Sequence, residues 1–488
     1  MDEDNLKSTV ITSLFWKFLQ TCGTSGVAFI ISIILARLLL PEDFGIIALI
    51  TVFIAVSNIF IQSGFSTALI QNKDVTDVDY SSVFFVTLGI ATLMYAILFI
   101  ASPLVAVFYN QPIITPVLRV LGLSLFFGAV NSIQYAIVAR GFLFKKYFVC
   151  SFFATLISGI IGVIIAYLGY GVWALVAQQL ISIISLCIIM LLVVRWRPKL
   201  KFSLVRIKAL FSYGWKVMIS GFIVTLYHNM TVMIVGKLYP ADMVGYYSKG
   251  REYPNLLVPM LTQTIQSVLF PAFSKSQDNP VLLKQIMHRS LTTSTFIIFP
   301  AMFGLLAVAE PAITILLTEK WLMCVPFLQI FCLYFMSYPI QAVNNQALLG
   351  VGKSGTYFKL EMIIIAIAVV LLVISISFGI YAVAVSVFIA SLFATYLYAF
   401  PAKKLFNYSF WEQCKDMLPT FILSVVMAVI VSCISLLNLS PLVTLIIQMI
   451  VGISIYFGMA WILKLEVFTY IINSIKEITR DKTEKLPI

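Results

Sequence analysis

Charge is scarce in this chain, and that scarcity excludes more than any motif establishes. Asp, Glu, Lys and Arg make up 11% of 488 residues, while 61% are hydrophobic and the mean hydropathy is +1.03. No soluble core needs so much apolar surface, so the composition places the chain among all-α polytopic membrane proteins. Histidine is almost absent: His228 and His288 fall in different segments, which leaves no zinc centre and no histidine-based catalytic constellation. The seven cysteines (22, 150, 187, 324, 332, 414, 433) are scattered through apolar runs without a CxxC pair, which argues against metal, redox chemistry and any cofactor. The start, MDEDNLKSTV, lacks a basic region ahead of a short apolar core, so no removable signal peptide is expected. Long polar segments are missing as well. With no loop large enough for an extramembrane catalytic domain, the chain is expected to be a transporter and no enzyme.

What the chain does have is apolar runs. Crossing the hydrocarbon of a bilayer takes roughly 20 helical residues. Runs of that kind lie near 12–36, 45–69, 82–108, 117–139, 148–168, 172–194, 214–237, 252–273, 291–317, 325–349, 357–378, 380–400, 417–437 and 441–463, which predicts 14 transmembrane helices. An even number returns both termini to one side. With both termini cytoplasmic, all of the 32 Lys and Arg except Arg37, Arg119, Lys237, Lys249, Arg251 and Lys320 fall at cytoplasmic positions, as the positive-inside rule requires.

The densest positive run is RWRPKLKFSLVRIKALFSYGWK (195–216), set between two apolar runs. In a soluble protein it would suggest nucleic acid; between membrane spans it marks the cytoplasmic side, and no nucleic-acid partner is expected. Leu204, Ile207 and Phe211 recur at helical spacing, which predicts a short helix lying on the inner leaflet, and the joint reads as a hinge between two halves. The halves repeat. Phe15-Trp16-Lys17 aligns with Gly214-Trp215-Lys216, Arg37-Leu38 with Lys237-Leu238, Ile61-Gln62-Ser63 with Ile265-Gln266-Ser267, and Pro116-Val117-Leu118-Arg119 with Pro326-Phe327-Leu328-Gln329, in order and with offsets near 200 to 210. The expected organisation is an N-terminal six-helix lobe (1–200), a C-terminal six-helix lobe with the basic linker at its start (201–404), and helices 13 and 14 with a cytoplasmic tail (405–488). Each repeat has an even number of spans, so a pseudo-two-fold axis along the membrane normal should relate the lobes.

The segments ARLLLPEDFG (36–45), GFSTALIQ (64–71), GYGVWALVAQQL (169–180), WRPKLKFS (196–203), GKLYPADMVGYYSKGRE (236–252) and VLFPAFSK (268–275) resemble the polysaccharide-exporter branch of the multidrug/oligosaccharidyl-lipid/polysaccharide flippase superfamily, in particular lipopolysaccharide and exopolysaccharide exporters of the colanic-acid-exporter type. The resemblance covers nearly the whole chain. It implies alternating-access transfer of an undecaprenyl-pyrophosphate-linked oligosaccharide across the bacterial inner membrane, for O-antigen, capsule or exopolysaccharide. Membrane lipid and other polysaccharide biosynthesis proteins are the implied partners.

Such a substrate needs cations for its pyrophosphate, amides and aromatics for its sugars, and an apolar path for its tail. Lys17 and Lys216 are repeat equivalents near the cytoplasmic span ends, and Arg37 and Lys237 near the outer ends, two tiers about 30 Å apart at 1.5 Å per residue. Arg251 is the preferred pyrophosphate anchor because its planar fork suits phosphate oxygens, with Glu252 as a charge switch beside it. The blander reading makes these groups interfacial anchors. Asn58, Gln62, Gln266 and Asn344 are the sugar-contacting candidates, against a helix-packing role. Glu310 and Glu361 are candidates for a coupling cation. Two alternatives stand: a cation-coupled multidrug or metabolite antiporter of the same fold, which the absence of acids in the first span disfavours, and a membrane polysaccharide polymerase, which would need a large outer loop.

Overall fold

In hydrocarbon every backbone N–H and C=O has to be satisfied within its own segment, so apolar runs of this length become helices. The computed structural model describes residues 3–62, 65–71, 75–277, 279–437 and 439–473. Among them there are helices and no strands: α1 (Glu3–Leu38), α2 (Pro41–Gln62), α3 (Phe65–Gln71), α4 (Asp77–Tyr109), α5 (Ile114–Gly122), α6 (Ser124–Arg140), α7 (Phe144–Tyr167), α8 (Val172–Val194), α9 (Leu204–Leu238), α10 (Ala241–Lys275), α11 (Pro280–Ala307), α12 (Ala309–Leu317), α13 (Val325–Met336), α14 (Tyr338–Gly350), α15 (Ser354–Ser375), α16 (Ile380–Ala399), α17 (Ala402–Phe406), α18 (Phe410–Ile434) and α19 (Pro441–Ile462).

Among the described residues, 13 helical segments are long and apolar enough to cross a membrane. The expected span at 252–273 is not one of them, although α10 has 35 residues and a length of about 50 Å. Several of its side chains lie outside the described residues, among which the spans are counted.

The duplication is visible in the backbone. The pair α5–α6, broken at Leu123, has its counterpart in α13–α14, broken at Ser337. The turns that follow both hold a residue in the left-handed region, Phe142 (φ 53°) and Gly352 (φ 75°), 210 positions apart.

The chain folds as two compact units, Met1–Ser248 and Lys249–Ile488, with α10 contributing to both. In the first unit α9 packs on α2, α3 and α4. The predicted short interfacial helix is instead the start of this one 35-residue helix, because Gly214 alone costs about 1 kcal/mol and does not stop it. The basic joint is also less mobile than a hinge. Lys199 pairs with Asp77 at 2.5 Å and Arg206 with Asp79 at 2.7 Å, while the backbone N–H groups of Lys199 and Ser203 donate to Ser81 Oγ and Ser82 Oγ, each at 3.0 Å. Four contacts thus fasten residues 199–206 to the first turns of α4.

At the opposite end of α2 the first turns of α2 and α10 meet reciprocally. A Cβ on Gly45 would lie 1.7 Å from the carbonyl oxygen of Ala241, and one on Gly245 would lie 2.0 Å from that of Pro41. Positions 41 and 45 are the equivalents of 241 and 245, so one surface meets its own repeat, as in an isologous contact. Only glycine lets two backbones approach this closely.

In the second unit α18 lies along α11 and α19 against α18. His288 Nδ1 and the Tyr408 hydroxyl both meet Asp416 Oδ2, at 2.8 and 2.6 Å, and the Tyr456 hydroxyl donates to the Phe296 carbonyl at 2.7 Å.

Candidate functional site

The first unit encloses a cavity of about 600 Å³ between α1, α2, α3, α6, α7 and α8, lined by Gln20, Asn58, Gln62, Asn131, Tyr135 and Tyr147 together with Ser66 and Ser132. That volume lies in the usual range of small-ligand sites. Among the described residues no Asp, Glu, Lys or Arg lines it. Gln62 Nε2 donates to Asn58 Oδ1 at 3.3 Å, and Asn131 Nδ2 to the Ile183 carbonyl at 3.2 Å, which leaves the buried Asn131 Oδ1 without a partner. The Tyr135 and Tyr147 rings stand edge to face with centroids 5.3 Å apart. Gly128 makes the room: its Cβ would fall 3.2 Å from Asn58 Oδ1 and 3.7 Å from Gln62 Nε2.

Gln62 closes α2 and Tyr147 lies in the first turn of α7, so the cavity sits about 20 to 25 Å along α2 from Gly45 of the glycine seam. Lys17 is exposed three residues before Gln20, on the same helix face, with its Nζ 5.6 Å from the Phe144 ring. Lys145 stands on the adjoining flank, 5.2 Å from the Trp16 ring.

Of the sugar-contacting candidates, Asn58 and Gln62 are thus brought together. Asn344 is not in such a setting: it is 1% exposed and exchanges hydrogen bonds with Gln413, at 3.0 and 3.3 Å, which joins α14 to α18. Gln266 is half-buried on α10.

The cationic candidates are dispersed. Lys237 Nζ donates to the Phe108 carbonyl at 2.6 Å and lies 4.4 Å from that ring, a cation at the negative end of α4. Arg37 is exposed in the last turn of α1. Arg251 is half-buried on α10, 6.0 Å from the Phe331 ring. The Lys216 side chain lies outside the described residues. Glu252, the expected partner of Arg251, pairs at 2.8 Å with Lys249, whose side chain is 1% exposed. Lys249 is one of the six cations outside the cytoplasmic set, and its i,i+3 spacing from Glu252 is the sequence signal for this pair. Arg119, another of the charges outside the cytoplasmic set, donates to Ser102 Oγ at 2.9 Å and covers the Phe99 ring at 4.1 Å.

Of the acids, Glu310 is exposed in the first turn of α12. Glu361 is half-buried on α15, where it accepts from the Tyr398 hydroxyl of α16, and Tyr357 stacks on Tyr398 with centroids 6.1 Å apart.

Comparison with known proteins fits this geometry. The family described as polysaccharide biosynthesis protein matches residues 34–326, more than half of the chain. The succinoglycan biosynthesis transport protein ExoT of Rhizobium meliloti is 27% identical over 325 residues, 67% of this chain and 66% of that protein. The lipopolysaccharide biosynthesis protein WzxC of Escherichia coli is 24% identical over 337 residues, 67% of each chain. The matched stretch therefore spans about two thirds of the curated relatives. Among solved structures, the lipid II flippase MurJ in its inward closed conformation superposes with a TM-score of 0.74 at 16% identity, covering 93% of this chain and 98% of that one. An inward-facing MATE-family multidrug transporter gives 0.59 at 14% identity over 82% and 95%. The chain belongs to the polysaccharide biosynthesis protein family, built on the membrane fold shared by MurJ and the MATE transporters.

Proposed function

We propose that the chain is a flippase that carries an undecaprenyl-pyrophosphate-linked oligosaccharide from the inner to the outer leaflet of the bacterial cytoplasmic membrane, by alternating access, with both termini in the cytoplasm. The observation that carries this reading is the cavity of the first unit: a pocket of amides, hydroxyls and phenols among membrane-length helices, with no charged group among its described lining residues. Polar groups in hydrocarbon are costly unless they serve packing or a substrate, and Asn131 Oδ1 serves no packing partner.

The remaining parts follow the same reading. Residues 1–200 and 201–404 act as repeat lobes. Lys17, Arg37, Lys216, Lys237 and Arg251 supply positive potential along the pyrophosphate path, and the Lys249–Glu252 pair beside Arg251 provides the charge switch. The apolar groove of about 420 Å³ between α11 and α18, lined by Phe303, Leu306, Val425, Ala428, Val429 and Leu436, suits the polyprenyl tail. A second reading, the cation-coupled antiporter, is favoured by one observation, the half-buried Glu361 held by a tyrosine hydroxyl; in the flippase it serves as the coupling-cation group.

Deleting the gene from its own cell tests the proposal. Surface polysaccharide should disappear while undecaprenyl-linked oligosaccharide accumulates on the cytoplasmic face, and the full chain should restore export. Normal surface polysaccharide in the deletion strain would overturn it.

A further inference from the structure

We infer that the cavity of the first unit is the sugar subsite, selective for uncharged sugars, and that Lys17 at its mouth meets the pyrophosphate. This rests on the flippase reading and deepens it. An amide offers both donors and an acceptor, and a phenol offers one of each, so Gln20, Asn58, Gln62, Asn131, Tyr135 and Tyr147 match hydroxyl and acetamido groups in either sense. Their N–H and O–H groups can donate to a carboxylate, but none of them carries the positive charge that would offset its desolvation. An acidic sugar would bring an uncompensated charge into a site whose described lining residues hold no cation. Asn131 Oδ1 is buried and unpartnered, and Gly128 omits a side chain where a methyl group would press on the Asn58 and Gln62 amides.

Depth decides the rest. A polyprenyl tail stays in the bilayer, so its pyrophosphate is held at head-group level while the sugars project inward. Lys17 lies in the first turn of the apolar segment Phe15–Leu38, and Gln20 lies one turn further in. The order along α1, cation then amide, is the order of pyrophosphate then sugar. Lys17 is exposed beside the Phe144 ring, so a hydrated pyrophosphate can reach its ammonium group.

The test uses the full chain purified in detergent and two probes, bare undecaprenyl pyrophosphate and the undecaprenyl-pyrophosphate-linked oligosaccharide extracted from the cells that make the polysaccharide, with affinities read by native mass spectrometry. The double variant Asn58→Ala, Gln62→Ala should weaken the glycan lipid about tenfold, the equivalent of two neutral hydrogen bonds, and leave the bare lipid unchanged. Lys17→Ala should weaken both lipids alike. Gln20→Ala should show the same selective loss as the double variant, and it replaces that variant if the double substitution does not fold. Equal loss for both lipids, no loss for the glycan lipid, or an extracted glycan made only of acidic sugars would overturn the subsite. A wild-type chain that binds neither lipid would instead overturn the flippase reading itself.

Discussion

The cavity of the first unit and the equivalent place in the second occupy matching helix positions and differ in how their polar side chains are held. Asn131, Tyr135, Tyr147 and Ser151 line or flank the first; 210 positions on stand Gln341, Asn345, Tyr357 and Glu361. Gln341 Nε2 donates to the Ser391 carbonyl at 3.0 Å and to Thr395 Oγ1 at 3.1 Å. Tyr398 donates to Glu361 and stacks on Tyr357. The amide at 131 has one such bond and an idle oxygen, and Ser151 bonds only within its own helix, to the Phe148 carbonyl at 3.1 Å. The difference teaches that a polar side chain in a span does not by itself mark a substrate site. Unsatisfied polarity beside room is the better pointer: in the second unit Glu361 is held by Tyr398, although Asn345 Oδ1 is unpartnered there too.

The most severe way to break the comparison is to move the acid. Ser151→Glu places a carboxylate at a buried position of the first unit where Ile188 stands at the equivalent of Tyr398, an expected loss of at least about 3 kcal/mol. Size-exclusion profiles in detergent should show little monodisperse protein; wild-type yield and stability would mean that the two units tolerate the acid equally. Next comes release of the tie. Glu361→Leu removes the acceptor of a 5%-exposed tyrosine and should cost about 2 kcal/mol in thermal unfolding, whereas Glu361→Gln keeps an acceptor and should cost less than half of that. If both variants are equally stable, the tie carries no stability. The smallest effect sharpens the contrast most: Gln341→Ala should lower stability by about 1 kcal/mol and spare glycan-lipid affinity, while Asn131→Ala should weaken that affinity with a smaller stability loss. The opposite pattern would exchange the roles of the units.

Much of the fold was legible in the sequence because each span had to be a run of about 20 apolar residues and each repeat kept its short matches in order. The seam was foreshadowed by Pro41 to Gly45 aligning with Pro240 to Gly245, although nothing in the letters says that these turns touch. The tenth helix was legible as an apolar run at 252–273, whereas its start at Ala241, ahead of Lys249, Arg251 and Glu252, was not. The site was legible only in part. Asn58, Asn131, Gln341 and Asn344 are alike in sequence, amides within apolar runs, and only packing separates the cavity amides from the Asn344–Gln413 pair. The contacts of the charges were not legible either: only packing shows that a helix carbonyl meets Lys237 and a serine hydroxyl meets Arg119.

The central claim, that this chain moves a lipid-linked glycan between leaflets, is tested most directly in vesicles. The purified chain is reconstituted into proteoliposomes containing undecaprenyl-pyrophosphate-linked oligosaccharide, and a membrane-impermeant glycosidase is added outside. With the wild-type chain the cleaved fraction should climb beyond the share initially facing outward. With Gly245→Leu, whose side chain cannot fit against the Pro41 carbonyl 2.0 Å from its Cβ, the climb should be lost or strongly reduced. A wild-type fraction equal to that of protein-free vesicles would contradict the account.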